Sequence, residues 1–260
     1  MIIGNPSGGP TSSTGYSMSY TNVLRGVTPT ITNPGTDQTA SNITNPDHSL
    51  VYTCGTLSTD FEISFGVQTA IGYVGISGHN AATLGAANVS IFNGTTQIAT
   101  TQIVRNNNLM FTFDPVSFTD LIVKFNTAPS TYQTTVSYIA AGERILFTTG
   151  EQAGYVRNWL LRPYNQSVAT NLQTAPIAIT QTNKALKGSI SFPNSDIDTS
   201  RGPWQSFVEF SYNEPFFINE VSTLPESSYL AYDPQHSVTA HPTTRALDVI
   251  RMNFTCYNGL

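Results

Sequence analysis

What most constrains this chain is the stretch from Phe61 to Phe147, a succession of short apolar runs separated by turn residues, with no room for a helix of ordinary length. Phe61-Glu62-Ile63-Ser64-Phe65 comes first. The strongest run is Ile71-Gly72-Tyr73-Val74-Gly75-Ile76-Ser77-Gly78-His79-Asn80, β-branched and aromatic until it stops at small and polar residues. Val89 to Phe92, Ile98 to Val104, Leu109 to Phe113, Leu121 to Phe125, Val136 to Ala140 and Ile145 to Phe147 follow. Several alternate apolar with polar residues, the period of a strand with one buried face. Gly66, Asn93-Gly94, Asn106-Asn107-Asn108 and Asp114-Pro115 supply the turns between them. The span predicts a β-sandwich.

Around this centre the chain changes character twice. Asn5 to Ser19 is rich in Gly, Ser, Pro and Thr, so residues 1–19 are expected to form an extended arm that cannot pack on itself. Ile2, Ile3 and Tyr16 within it, together with Tyr20 just beyond, are candidate contacts with a neighbouring subunit. Residues 20–148 hold the sandwich, and the polar run Thr148 to Tyr155 marks a linker at 149–155. Residues 156–260 then read as a second β-rich domain with one short helix. Leu186 to Phe192 alternates as a strand. Ser200-Arg201-Gly202-Pro203 offers a helix start with proline near the first turn, and Trp204, Phe207, Val208 and Ser211 follow at helical spacing. The helix is expected to end before Asn213-Glu214-Pro215. Phe216-Phe217-Ile218 and Ser228 to Tyr232 read as strands, a polar loop holds Pro234 and Pro242, and Ala246 to Tyr257 closes as a long strand. Trp204, Phe207, Phe216 and Phe217 are expected to form the second core.

Composition narrows the function. With 10% charged residues, 11 Lys and Arg in all and a net charge of −5, the chain has no basic stripe for a phosphate backbone, so no nucleic-acid partner is expected. No apolar stretch approaches the ~18 residues of a membrane span, and the start lacks a signal-peptide pattern. Five Asn-x-Ser/Thr sequons, at Asn42, Asn88, Asn93, Asn165 and Asn253, read as products of an Asn- and Thr-rich composition. Cys54 and Cys256 either staple the chain's two ends or, the favoured reading, are small buried apolar residues.

The sequence offers no catalytic residue, cofactor or metal site. Gly72, Gly75 and Gly78 lack the spacing of a dinucleotide loop, and no helix opens after them. His236 and His241 sit in the proline-containing loop without regular ligand spacing. Asp196, Asp198, Glu209 and Glu214 read as caps and turn residues rather than a glycosidase pair. His79 is expected to brace the turn into Asn80. The chain is not expected to be an enzyme.

The ordered set Phe61 to Phe65, Tyr73-Val74-Gly75-Ile76-Ser77-Gly78-His79-Asn80 and Ala141-Gly142-Glu143-Arg144-Ile145-Leu146-Phe147 resembles the galactose-binding-like (discoidin-type) jelly roll of tailed-bacteriophage virion proteins. Trp204 to Tyr212, Pro215-Phe216-Phe217 and Val249 to Leu260 are similar to the C-terminal part of the same proteins. The resemblance covers residues 45–260. It implies a structural component of a phage tail, hub or baseplate, assembled in the host cytoplasm, acting through contacts with other virion proteins and with a ring of its own copies. The alternatives are a carbohydrate-binding host-receptor module of the tail and a capsid-decorating protein. Such folds bind sugars through loops at one end of the sandwich, which makes Asn80, Arg105, Asn107 and Tyr132 the candidate glycan contacts, with plain turn chemistry as the competing reading of the asparagines.

Overall fold

The computed structural model describes residues 16–32, 39–47, 49–53, 60–84, 88–126, 133–147, 166–170, 176–181, 186–196, 202–240 and 247–257. The first strands are β1 (Tyr16–Ser19), β2 (Thr30–Ile31), β3 (Tyr52–Thr53), β4 (Asp60–Phe65), β5 (Ala70–Ser77) and β6 (Asn88–Asn93). Next come β7 (Thr96–Gln102), β8 (Leu109–Ser117), β9 (Leu121–Asn126), β10 (Thr135–Val136), β11 (Tyr138–Gly142) and β12 (Arg144–Phe147). The rest comprises β13 (Gln166–Thr170), β14 (Pro176–Gln181), β15 (Leu186–Asp196), helix α1 (Pro203–Ser211), β16 (Phe216–Asn219), β17 (Ser228–Ala240) and β18 (Leu247–Tyr257). The protein is mainly β, with a jelly-roll sandwich in front and a β-rich part with one helix behind it among the described residues.

A five-stranded antiparallel sheet, β2-β4-β9-β6-β7, faces the three-stranded β11-β5-β8. Ile63, Phe65, Val89, Ile91, Val123 and Phe125 from the first meet Val74, Ile76, Phe111, Phe113 and Ile139 from the second in one buried core. A strand facing water on one side would expose every second residue. In β5, by contrast, seven of eight residues are buried, so this sheet is covered on both faces.

The second cover is a six-stranded sheet of order β12-β1-β16-β17-β18-β15. Period-2 alternation sorts its side chains between two layers. Phe217 and Leu230 point forward to Tyr73, Met110, Tyr138 and Ala140 of the three-stranded sheet, forming a buried seam. Phe216, Ile218, Tyr229 and Ala231 point the other way, into a core closed by Trp204 and Phe207 of α1. The seam needs a glycine. A Cβ on Gly75 would overlap the Phe217 ring, which stacks on Tyr138 at 6.1 Å between centroids and 8° between planes.

Helix α1 fits its sequence signals: Pro203 stands in the first turn after Gly202, and Trp204, Phe207 and Ser211 are its buried face. Phe217 corrects the expected second core, because alternation turns it away from Phe216 and into the seam. Tyr16–Ser19 corrects the expected arm. These residues form a fully buried strand paired with β12 from Tyr16↔Phe147 to Ser19↔Arg144, and with β16 at Ser17↔Asn219 and Met18↔Ile218. Tyr-Ser-Met-Ser alternates in period 2, a signal lost when averaged with the polar residues before it. Arg144–Phe147, expected to close the sandwich, lies in the same rear sheet, so strands on both sides of the expected linker share one sheet. The linker itself, 149–155, lies outside the described residues.

The expected loop around Pro234 is also corrected, because β17 runs on to Ala240. Proline cannot donate to a ladder, and here it sits in a bulge between Tyr232 and Gln235, beside Asp233 with φ 53°. Cys256 is a buried thiol of the rear core, pushed up to about 12 mainly by burial. Cys54 lies outside the described residues.

Candidate functional site: the loop end of the sandwich

At the end of the sandwich where β5 stops and β8 starts, three connections converge: residues 78–82, 103–108 and 133–135. Gly78 has φ +65°, a left-handed conformation that turns the chain out of β5. Asn80 then braces the neighbouring connection, donating Nδ2–H to the Gln133 carbonyl at 2.7 Å and accepting the Thr135 amide at 2.9 Å. Asn106 works the same way: its Oδ1 accepts the Ala82 amide and its Nδ2 donates to Thr83 Oγ1, both at 2.8 Å. Asn108 is fully buried, accepts Ser77 Oγ–H at 2.6 Å and donates to the Tyr257 carbonyl at the end of β18.

The rear part reaches the same loop. Glu226 Oε1 accepts the backbone N–H groups of Val104 at 2.8 Å and Arg105 at 3.3 Å, and Ser228 Oγ donates to the Asn108 carbonyl at 2.9 Å. Residues 104–108 are thus held by side chains of both parts. What remains outward is Val104, 67% exposed, and the exposed Arg105, with Asn107 half-buried beside them.

Of the sequence-derived glycan candidates, the structure brings Arg105 and Asn107 together on one loop. Asn80 stands on the adjoining connection with both amide groups bonded to backbone, the turn-bracing chemistry that was its competing reading. Tyr132 lies outside the described residues. Of the candidate interface residues, Tyr16 is 3% exposed within the chain's own sheet. Tyr20 packs beside the rear core and donates its hydroxyl to Glu143 Oε2 at 2.6 Å. Ile2 and Ile3 lie outside the described residues. Val104 and Glu226 escaped the sequence reading; Glu226 pairs with residues more than a hundred positions away, beyond any local pattern.

His79 lies under this end, 3% exposed, its Nδ1 accepting the Ala81 amide at 3.3 Å and its ring 6.5 Å from that of Phe125. This is the turn-bracing role expected of it. Burial lowers its pKa from 6.5 to about 4; the Asn107 backbone opposes that shift without an ordinary hydrogen bond to Nε2. The unfolded chain therefore binds more protons than the folded one between those values. Stability from this group is fully present above about pH 6.5 and is lost as pH falls through about 4, up to ~3 kcal/mol at ~1.4 kcal/mol per unit. His236 shifts in the same direction, also through burial. Urea midpoints are expected to fall across that window, and less steeply in His79→Gln; an identical slope in the variant would remove His79 from the account.

Among the described residues, no three His, Cys, Asp or Glu side chains converge as a metal site, and no helix is long and apolar enough to cross a membrane. Glu214, read as a turn residue, lies in the turn after α1, its amide bonded to the Phe210 carbonyl, and its side chain is buried and ion-paired with Arg25.

No protein-family model and no curated relative matches the sequence. Solved structures are similar over about half of it. The lectin binding domain of Lectinolysin, complexed with Lewis b, matches with a TM-score of 0.39 and 15% identity, covering 48% of this chain and 96% of that one. A chitosan-binding module from a Paenibacillus sp. IK-5 chitosanase/glucanase gives 0.38 and 14%, covering 47% and 99%. A Streptococcus pneumoniae fucose binding module gives 0.38 and 12%, covering 47% and 98%.

Proposed function

We propose that this chain is a non-catalytic recognition component of a tailed-phage virion, a host-receptor module of the tail whose front sandwich contacts a surface glycan through Val104, Arg105 and Asn107. The observation that carries the reading is the preparation of that loop. Its backbone amides and inward asparagines are already bonded, so little ordering remains to be done when a ligand arrives. The outward groups suit a sugar: a valine for the apolar ring face, and a guanidinium and an amide for hydroxyls. The solved structures that share the sandwich are named for binding Lewis b, chitosan and fucose, which supports the same chemistry. Placement in a phage tail rests on the sequence resemblance across residues 45–260.

A second reading keeps the tail, hub or baseplate placement but assigns function to subunit contacts alone; it is favoured by the arrangement of the rear sheet considered below. A glycan screen with the full chain separates the two. Binding is expected, with Arg105→Ala weakening it at least about tenfold, the effect of one lost charge-assisted hydrogen bond, while melting is unchanged because the side chain is exposed. No binding to any glycan in the screen, or binding indifferent to Arg105, defeats the recognition reading. Proteomics of purified particles tests the placement separately.

A further inference from the structure

We propose that β17 carries a self-pairing edge, so that two copies of this chain join through antiparallel 235–240 segments into one sheet continuous across a twofold axis. β16 pairs with β17 only over Phe216↔Ala231 to Asn219↔Ser228, while β18 follows β17 on its other side as far as Ala240↔Asp248. Among the described residues, β17 beyond Tyr232 therefore has one neighbouring strand and one open edge.

Natural sheets blunt an open edge with charge, proline, a bulge or brevity. The rear sheet does so at both of its ends. β12 is only four residues long; β15 carries Pro193 at a register shift between Phe192 and Ser195. On β17 the bulge and Pro234 come before the open segment, not within it. Gln235-His236-Ser237-Val238-Thr239-Ala240 has neither proline nor a residue charged at neutral pH, burial holding the His236 pKa at about 4. His236 is tied to Ser211 Oγ of α1 at 2.9 Å, which holds the strand in place. From Ser237 to Ala240 every residue is exposed, so both faces of the strand meet water as well as its edge, with Val238 44% exposed and Tyr212 of α1 64% exposed.

The protected ends fix the occupant. A head-to-tail contact, which builds a ring or an open filament, would need the short β12 or the bulged β15 to receive the β17 edge. An uncharged edge is complementary to itself, and antiparallel pairing with a second copy closes on a twofold. The inference is independent of the glycan reading, and it replaces the expected ring of copies with a dimer as the first assembly step.

Sedimentation velocity of the full chain tests it. A dimer is expected at about 100 μM, dissociating on dilution, with amides of 235–240 exchanging more slowly at the higher concentration. Val238→Lys and, separately, Thr239→Lys place like charges close across the twofold, and each is expected to weaken dimerisation at least tenfold with the melting of dilute protein unchanged. A wild-type chain that stays monomeric throughout, or a dimer indifferent to both lysines, overturns the proposal.

Discussion

Phe217→Ala is expected to destabilise the protein by about 3–5 kcal/mol, the cost of a fully buried aromatic whose site cannot collapse. Phe217 has no exposed surface, stacks on Tyr138 and lies 6.5 Å from the Tyr73 ring. Its neighbours are anchored by polar bonds behind them: Tyr73 donates to the Thr21 carbonyl at 2.7 Å and the Tyr138 hydroxyl accepts from Asn22 Nδ2 at 3.0 Å. Around them, Asn219 Nδ2 donates to the Met110 carbonyl at 2.9 Å and Thr112 Oγ1 to the Ser222 carbonyl at 2.8 Å. Such a frame keeps the rings from closing a cavity. Gly75→Ala attacks the same contact from the other side, forcing a methyl into the Phe217 ring, at about 1–3 kcal/mol for overpacking. Because removing the ring makes room for the methyl, the double variant should cost less than the sum of the two singles. Urea unfolding of the four proteins measures this directly. Strict additivity, or an unchanged Phe217→Ala midpoint, would show that the seam does not join the two parts.

The seam also shows where sequence reasoning succeeds and where it stops. The strands of the front sandwich are legible because alternation and turn residues mark each one locally. Helix α1 is legible because Gly202-Pro203 starts it and Trp204, Phe207 and Ser211 repeat at its period. Phe217 is not legible as a seam residue. In Phe216-Phe217-Ile218 all three are apolar, and both faces of β16 are buried, so the sequence carries no polar residue to say which core receives which ring. The same ambiguity affects β5, whose doubly buried run looks like any strong strand. At the loop end the asparagines posed a different problem. Amide side chains serve equally well for sugar hydroxyls and for bracing turns, and only the positions of Gln133, Thr135, Ala82 and Tyr257 decide that Asn80, Asn106 and Asn108 face inward. Proline misled where it stands in a bulge: Pro234 interrupts the ladder without ending β17.

Deleting residues 1–19 is expected to abolish folding of the rear sheet. The expectation from sequence alone is the reverse, an arm that adds nothing to the chain's own core and docks on a neighbouring subunit, and the difference lies in four residues. β1 is an interior strand, with β12 on one side and β16 on the other, so its removal strands backbone groups of both neighbours. Tyr16 and Met18 sit in the rear core at 3% and 0% exposure, together worth roughly 3–6 kcal/mol of apolar burial. Ser19 Oγ accepts the Phe217 amide at 2.8 Å and Ser17 Oγ accepts Arg144 Nη1–H at 3.0 Å, two more partners lost from buried surroundings at about 1–3 kcal/mol each. The sum reaches the ~5–15 kcal/mol that holds an ordinary domain together. The truncated chain should therefore be recovered insoluble, or soluble without a cooperative melt by circular dichroism. Met18→Ala, at about 2–5 kcal/mol, should retain a melt at lower temperature, which separates loss of the core contact from loss of the strand. Truncation at residue 15 keeps β1 and serves as the control. A chain lacking 1–19 that melts like the full protein would return Tyr16–Ser19 to the arm, and equal damage from both truncations would shift the stabilising role to the residues before Tyr16.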